Sequence, residues 1–445
     1  MKANYLAVVA ASLAGSGVNA EPMSVLRQLK LNTWAELSET GAFDLHRYEA
    51  LTASISCQNG RAGEYRCNNV DLVSFLRHQD LGSSTRQGND VWGWTSDTGR
   101  EFGVVGQTDG TAFVEILSDG SLIYLGRLPT QTTSSSWRDM KVIGNHAYIG
   151  SEAARHGLQV FDLTKLLNID PSSPKVFSTS SDLTAHFAGF GNSHNIVAHE
   201  DTNMIYVVGT GSDAGCRGGL FMVNVSNPAN PTSPGCLSAG GYVHDAQCVI
   251  YSGPDTRYTG REICFNFNED TLDITDVTSK GKPTTISSTG YTGASYTHQG
   301  WIADPEQRFL LLDDELDEQR RRGPAANQHT TTYIVDISNL KSPRFTGTYQ
   351  SPAISIDHNQ YVVDGLSYQA NYGSGLRIID ITSLGSDPTG RGIHEVGFFD
   401  VHPEDDDVNG RAEFVGTWSV YPFFKSGHIL LNSIERGAYV LKYTG

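Results

Sequence analysis

The sequence predicts an all-β fold, a seven-bladed β-propeller of four-stranded blades. Three observations predict it. One short strand pattern recurs seven times, turn residues punctuate short apolar runs with 47 glycines in 445 residues, and helix-friendly runs are scarce after residue 50.

The recurring pattern is a small or turn residue, alternating apolar positions, an acid or its substitute, then an apolar residue. It appears at residues 111–116, 158–163, 220–225, 272–277, 332–337, 376–381 and 438–443. The acid-equivalent positions are Glu115, Asp162, Asn224, Asp276, Asp336, Asp380 and Lys442, spaced by 47, 62, 52, 60, 44 and 62 residues. That ragged period is the one expected of four-stranded propeller blades. Further strand-like runs lie between copies, as at 194–198 and 204–208 in the third blade. Blades bury both sheet faces against their neighbours, which explains runs more apolar than strict alternation. A β-helix needs shorter coils, and a sandwich does not repeat seven times.

Ring closure is predicted at the termini. The last copy ends the chain where the third strand of a blade is due, so residues 70–76 are expected to supply the fourth and remove the open edge. Residues 21–68 read as a preface closed by a disulfide, with 23–31 and 45–55 helical and packed on the ring, and 69–445 as the propeller.

Residues 1–20 read as an export signal: Lys2, an apolar run from Leu6 to Leu13, and Val18-Asn19-Ala20 before Glu21. The run is too short to span a bilayer, so a secreted, extracellular protein is expected. Six cysteines suit an oxidising compartment. Cys57 and Cys67 flank a short loop, and Cys248 and Cys264 sit on neighbouring strand-like runs. Cys216 with Cys236 follows by elimination. A cysteine metal site would need a CxxC pair, and none occurs. The formal charge of −17 argues against nucleic acid and anionic membranes as partners. Asn224-Val225-Ser226 is a sequon at a strand end.

The repeat strand, as at 376–381, resembles the LVIVD repeat of extracellular bacterial propellers. A wider resemblance is to the choice-of-anchor B family. It is carried by His244-Asp245-Ala246-Gln247-Cys248, Thr297-His298-Gln299-Gly300, residues 312–318, Ile356-Asp357-His358-Asn359, Ala370-Asn371-Tyr372 and residues 418–424. The resemblance implies an exported propeller and little about activity. Relatives often end in a sorting tail, whereas this chain stops at Lys442-Tyr443-Thr444-Gly445, so free secretion is expected.

Aligning blades on the repeat places Trp92, Trp137, His194, His244, His298, His358 and Trp418 in corresponding positions at the start of each innermost strand. The next residue is usually polar: Arg138, Asn195, Asp245, Gln299, Asn359 and Ser419. The loop between second and third strands shares this face and carries Glu152, Asp213, Glu269, residues 313–318, Tyr372 and Glu435. Imidazoles at the channel mouth below a rim of carboxylates make this the expected functional face. His194, His244, His298 and His358 are candidate ligands for zinc, copper or iron. The competing reading, which a repeated position favours, is repeated structural hydrogen bonding within each blade. Asp313, Asp314 and Glu315 are candidate calcium ligands on the rim, with a charge-paired loop as the competing reading, since arginines follow at 320–322.

Trp92, Trp137, Arg138, Asn195, Gln299, Asn359, Tyr372 and Trp418 are candidate ligand-binding residues. The chain has no Gly-x-Ser-x-Gly elbow, no HExxH and no phosphate loop. The leading expectation is a secreted propeller binding an extracellular small molecule, glycan or protein, with a metal in the channel as an addition. The alternative is a metal-dependent hydrolase of lactones or phosphoesters, or an oxidoreductase, with Asp245 as general base.

Overall fold

The computed structural model describes residues 20–51, 53–211 and 214–445. The expected export segment, apart from Ala20, and Asp213 lie outside the described residues.

Seven sheets form a ring, and their innermost strands meet around a central axis. Those innermost strands are Gly88–Thr95, Arg138–Ile143, Asn195–His199, Asp245–Ile250, Thr297–Ile302, Asn359–Val363 and Thr417–Tyr421, blades one to seven in order. Each is followed by antiparallel neighbours in an up-and-down blade. The predicted closure is present: Val70–Arg77 pairs antiparallel with Gly437–Tyr443 and completes the seventh blade. Tyr65–Asn68 adds to the outer edge of blade six, where Cys67 stands opposite Phe399. The preface is therefore partly sheet.

All three expected disulfides form, Cys57–Cys67, Cys216–Cys236 and Cys248–Cys264. The last joins directly opposed residues of adjacent strands. Among the described residues, no helix is long and apolar enough to cross a membrane.

The preface departs from expectation in two ways. A single helix, α1, runs Met23–Glu39, well beyond residue 31, and the described residues 45–51 and 53–55 are turns, bends and irregular chain ending in a bridge between Ile55 and Leu72. The sheet edge offers the backbone of Ile55 two hydrogen bonds, its N–H to Leu72 O and its carbonyl from the Leu72 N–H, and these hold the end of this stretch extended. α1 buries Met23, Leu26, Lys30 and Trp34, a single stripe of three- and four-residue spacing. It ends at Gly41, whose φ of +80° permits the left-handed turn that lets the Ala42 N–H bond back to Leu37 O.

Blades three and four are clasped by Glu262, which accepts from His199 Nδ1 (2.7 Å), Thr202 Oγ1 (3.0 Å), the Tyr206 hydroxyl and the Lys280 ammonium. Burial raises its pKa, but these donors outweigh burial and hold the carboxyl at about 2, below its ordinary 4.5. The unfolded chain therefore takes the proton more readily. The stability this contributes is complete above about pH 4.5 and is lost as pH falls through about 2. Glu262→Gln is expected to cost about 2–3 kcal/mol at pH 7 and to flatten the acid limb of a stability–pH curve measured by urea unfolding.

Candidate functional site

The face expected to be functional is covered by α1. Its backbone and cations meet the acidic rim one by one. The Met23 N–H donates to Glu269 (2.6 Å), and Arg27 to both oxygens of Glu152 (2.9 Å each). The Lys30 ammonium lies 2.6 Å from Glu315. Trp34 lies 5.4 Å from Trp137 and 5.8 Å from Trp418 between ring centroids, and its Nε1 donates to Phe414 O. Glu152, Glu269 and Glu315 are thus the docking points of a helix from the same chain.

Lys30 and Glu315 are both fully buried. The ammonium stands 5.1–5.8 Å from the rings of Tyr372, Phe414 and Trp418, and the Tyr372 hydroxyl donates to Glu315 at 2.5 Å. Burial lowers the Lys30 pKa against the pull of Glu315, and burial likewise raises Glu315.

Beneath Lys30 the four histidines converge. Ring centroids are 4.2 Å apart for His194–His244, 4.1 Å for His244–His298 and 4.4 Å for His298–His358. His244 Nδ1 is 3.0 Å from His298 O and His358 Nδ1 is 2.5 Å from Trp418 O. A carbonyl only accepts, so Nδ1 carries the hydrogen in both rings and Nε2 keeps a lone pair. His194 Nδ1 contacts Glu152 at 2.7 Å. Burial dominates in lowering all four pKa values, so the rings are neutral at pH 7. Ligand atoms of His244, His298 and Glu315 lie within 4.8 Å of one another.

Below the histidines the channel turns acidic. Lys141 Nζ bonds Asp90 (3.0 Å) and Asp139 (2.5 Å) and sits 4.6 Å from the Trp92 ring centre. Asp245 stands beside this group, and burial pushes it up to about 7 against the attraction of Lys141. This tier and the histidines line one narrow pocket.

The other end of the channel is open and aromatic. A void of about 570 Å³ is lined by Trp92, Lys141, Asp245, Gln247, Gln299, Trp301 and Tyr361 among others. It adjoins an outer hollow of about 900 Å³ lined by Trp92, Trp301, Tyr421, Phe423 and Glu200. Trp92 meets Tyr361 and Tyr421 edge-on at 5.5 and 5.1 Å, and Trp301 meets Tyr361 at 5.0 Å. Gly93 permits this crowding, because a Cβ there would lie 2.1 Å from the Tyr421 ring.

The predicted site residues distribute unevenly over this channel. His194, His244, His298 and His358 come together, whereas Trp92 stands at the aromatic mouth, away from them. Blade one begins Gly88-Asn89-Asp90, and the alignment on an aromatic residue skipped that polar pair. Trp137, Trp418 and Tyr372 are buried against α1 or the Lys30–Glu315 pair. Arg138 is buried between blades, bonding Gln107 O and His156. Asn195, Gln299 and Asn359 donate across blade boundaries to the carbonyls of His244, Gln360 and Trp418, which gives the polar row a structural role.

Of the rim candidates, Asp313 accepts from Gln360, Asp314 from Ser295, Tyr296 and Tyr291, and Glu315 from Tyr372, so protein donors already engage all three. Sequence reasoning missed Lys30, Lys141, Asp90, Asp139, Trp301, Tyr361, Tyr421 and Phe423. The available signal was an aromatic residue three positions after the row in several blades: Trp301 after His298, Tyr361 after His358, Tyr421 after Trp418.

The family model of the LVIVD repeat matches residues 326–351, the segment containing the fifth copy of the repeat strand. No curated protein matches the chain.

Proposed function

We propose that the chain is an exported ligand-binding propeller of the choice-of-anchor B kind. Its ligand, the end of an extracellular glycan, enters the channel from the aromatic mouth. The observation that carries this reading is the pairing of the partly exposed Trp92 and Trp301 rings, backed by buried Tyr361, with a floor of carboxyl and amide groups. Sugar rings offer C–H faces to aromatic rings and hydroxyls to planar carboxylates and amides. The histidine face, covered by α1, serves as the closed end. Export rests on the three disulfides together with the leader-like first twenty residues.

The test is calorimetric titration of the full chain with neutral oligosaccharides. Trp92→Ala and Trp301→Ala are each expected to weaken binding about tenfold, the loss of roughly 1.4 kcal/mol of stacking. Arg27→Ala, on the covered face, is expected to leave affinity unchanged. Wild-type affinity in both mouth variants would sink the reading.

A second reading places a transition metal, zinc, copper or iron, at His244, His298 and Glu315. It is favoured by the Nδ1–carbonyl anchoring of His244, the usual way a ligating ring is oriented. Lys30 holds the cation position in this arrangement, so loading requires its ammonium to withdraw. Were the protein an enzyme, Asp245, which lines the same pocket as those histidines, would be the candidate general base. Elemental analysis decides: stoichiometric metal lost in His244→Ala/His298→Ala supports this reading, and metal-free protein removes it.

A further inference from the structure

Away from the channel, blades five and six leave a pocket of about 170 Å³ between them. One wall is the end of the outer strand of blade five, Arg344–Ile354, where Pro352, Ala353 and Ile354 give an apolar edge. The facing wall is blade six, with Arg377 on its third strand, Leu376–Asp380, and Glu395 on its fourth, His394–Phe399. Asp400 follows that fourth strand, and Asp405 enters from the short turn Pro403–Val408. The pocket shares no lining residue with the aromatic mouth.

The basic side chains here are already committed. Arg377 donates to Glu395 (3.2 Å) and to Ser374 O (3.1 Å), with its guanidinium 4.4 Å from the Phe398 ring centre. Arg66 is spent on Asp406, 3.6 Å away. Asp400 and Asp405 are left over, at 6 and 5 % exposure. Asp400 accepts the His402 N–H (2.9 Å), whereas Asp405 Oδ2 is buried with no hydrogen bond at all. Burial raises both carboxyls, Asp405 to about 6. A buried carboxylate oxygen without a donor is a costly thing to keep, and it lines a cavity.

Gly373 holds the space in front of that oxygen open. A Cβ at this position would stand 3.4 Å from Asp405 Oδ2, an ordinary contact. The φ of Gly373 is not positive, so its backbone suits any residue and the bare Cα serves space rather than a turn. Among the described residues, no three ligand atoms of this pocket lie within 4.8 Å of one another, too open a set for a small metal ion. An ammonium reaches further, to oxygens about 2.8 Å from its nitrogen, and brings three donors.

We propose that this pocket binds a primary ammonium group on an alkyl stem. The ammonium donates to Asp405 and Asp400, and the methylenes lie along the apolar edge of blade five. A free alkylamine and the lysine side chain of a partner protein carry this same chemistry.

The test is calorimetric titration of the full chain with pentylamine and with acetyl-lysine amide, at about pH 8 so that Asp405 is ionised. Both are expected to bind saturably at one site, and pentanol, of equal size and no charge, is expected not to bind. Tighter binding of acetyl-lysine amide assigns the site to a lysine of a partner, and the reverse order assigns it to free amines. Asp405→Asn should weaken both amines at least tenfold. Gly373→Ala keeps every charge and fills the space before Oδ2, so it should weaken them comparably, and it stands in should Asp405→Asn fail to fold. Asp270→Asn, at an exposed loop acid, should change nothing. Absence of saturable amine binding overturns the proposal, as does equal binding of pentanol or wild-type affinity in Gly373→Ala or Asp405→Asn.

Discussion

Lys30→Met is expected to destabilise the protein by about 3–5 kcal/mol at neutral pH, as measured by urea unfolding. Methionine fills the space of the lysine stem but leaves Glu315 buried opposite four neutral imidazoles and three aromatic rings. That carboxylate must then take up a proton or stay charged in a dry site, and either is costly. Glu315→Gln in the same background should recover most of the loss, because an uncharged pair removes the unanswered charge rather than creating one. Coupling of this size is the mark of two residues that act as a unit. Equal and additive losses would mean that α1 is held by its apolar stripe alone.

Trp34→Ala should have a comparable effect, about 3–5 kcal/mol, through a different cause. The indole fills the space between Trp137 and Trp418 and donates its N–H to Phe414 O, so truncation opens a cavity and leaves a carbonyl unpaired. The loss should be local. Hydrogen exchange is expected to rise across residues 23–39 and at the starts of the innermost strands bearing His194, His244 and His298, while the outer strands of the blades stay protected. Uniform acceleration around the ring would show that α1 is integral to the propeller rather than a stopper laid upon it.

These two residues also mark where the sequence stopped being legible. The seven repeat strands, the closing strand at 70–77 and the cysteine pairs were readable because each follows from local pattern: an alternating run, a missing partner, a short loop. The four histidines were readable as a row because a cyclic repeat returns equivalent positions to one level. Their convergence could be argued, but not what lies above them. A helix with Arg27 and Lys30 reads as solvent-facing on that side, and nothing in its own pattern shows that a ring of acids waits for those charges. The clue lay in the other partner. Glu152, Glu269 and Glu315 recur in one loop position of blades two, four and five, and buried carboxylates call for cations from somewhere in the chain. The aromatic mouth was missed for a simpler reason. Its rings come from the far ends of the innermost strands, three residues beyond the row used for alignment, and the one member named, Trp92, was placed at the wrong level.

The central claim is that the channel has one open end, lined by aromatic rings, and one end closed by α1. A crystal structure of the protein soaked with the tightest-binding oligosaccharide tests it most directly. The account predicts sugar density stacked between Trp92 and Trp301, with hydroxyls reaching Asp245 or Gln247 and α1 in place. Density on the α1 face, or α1 displaced with sugar against the histidines, would contradict it.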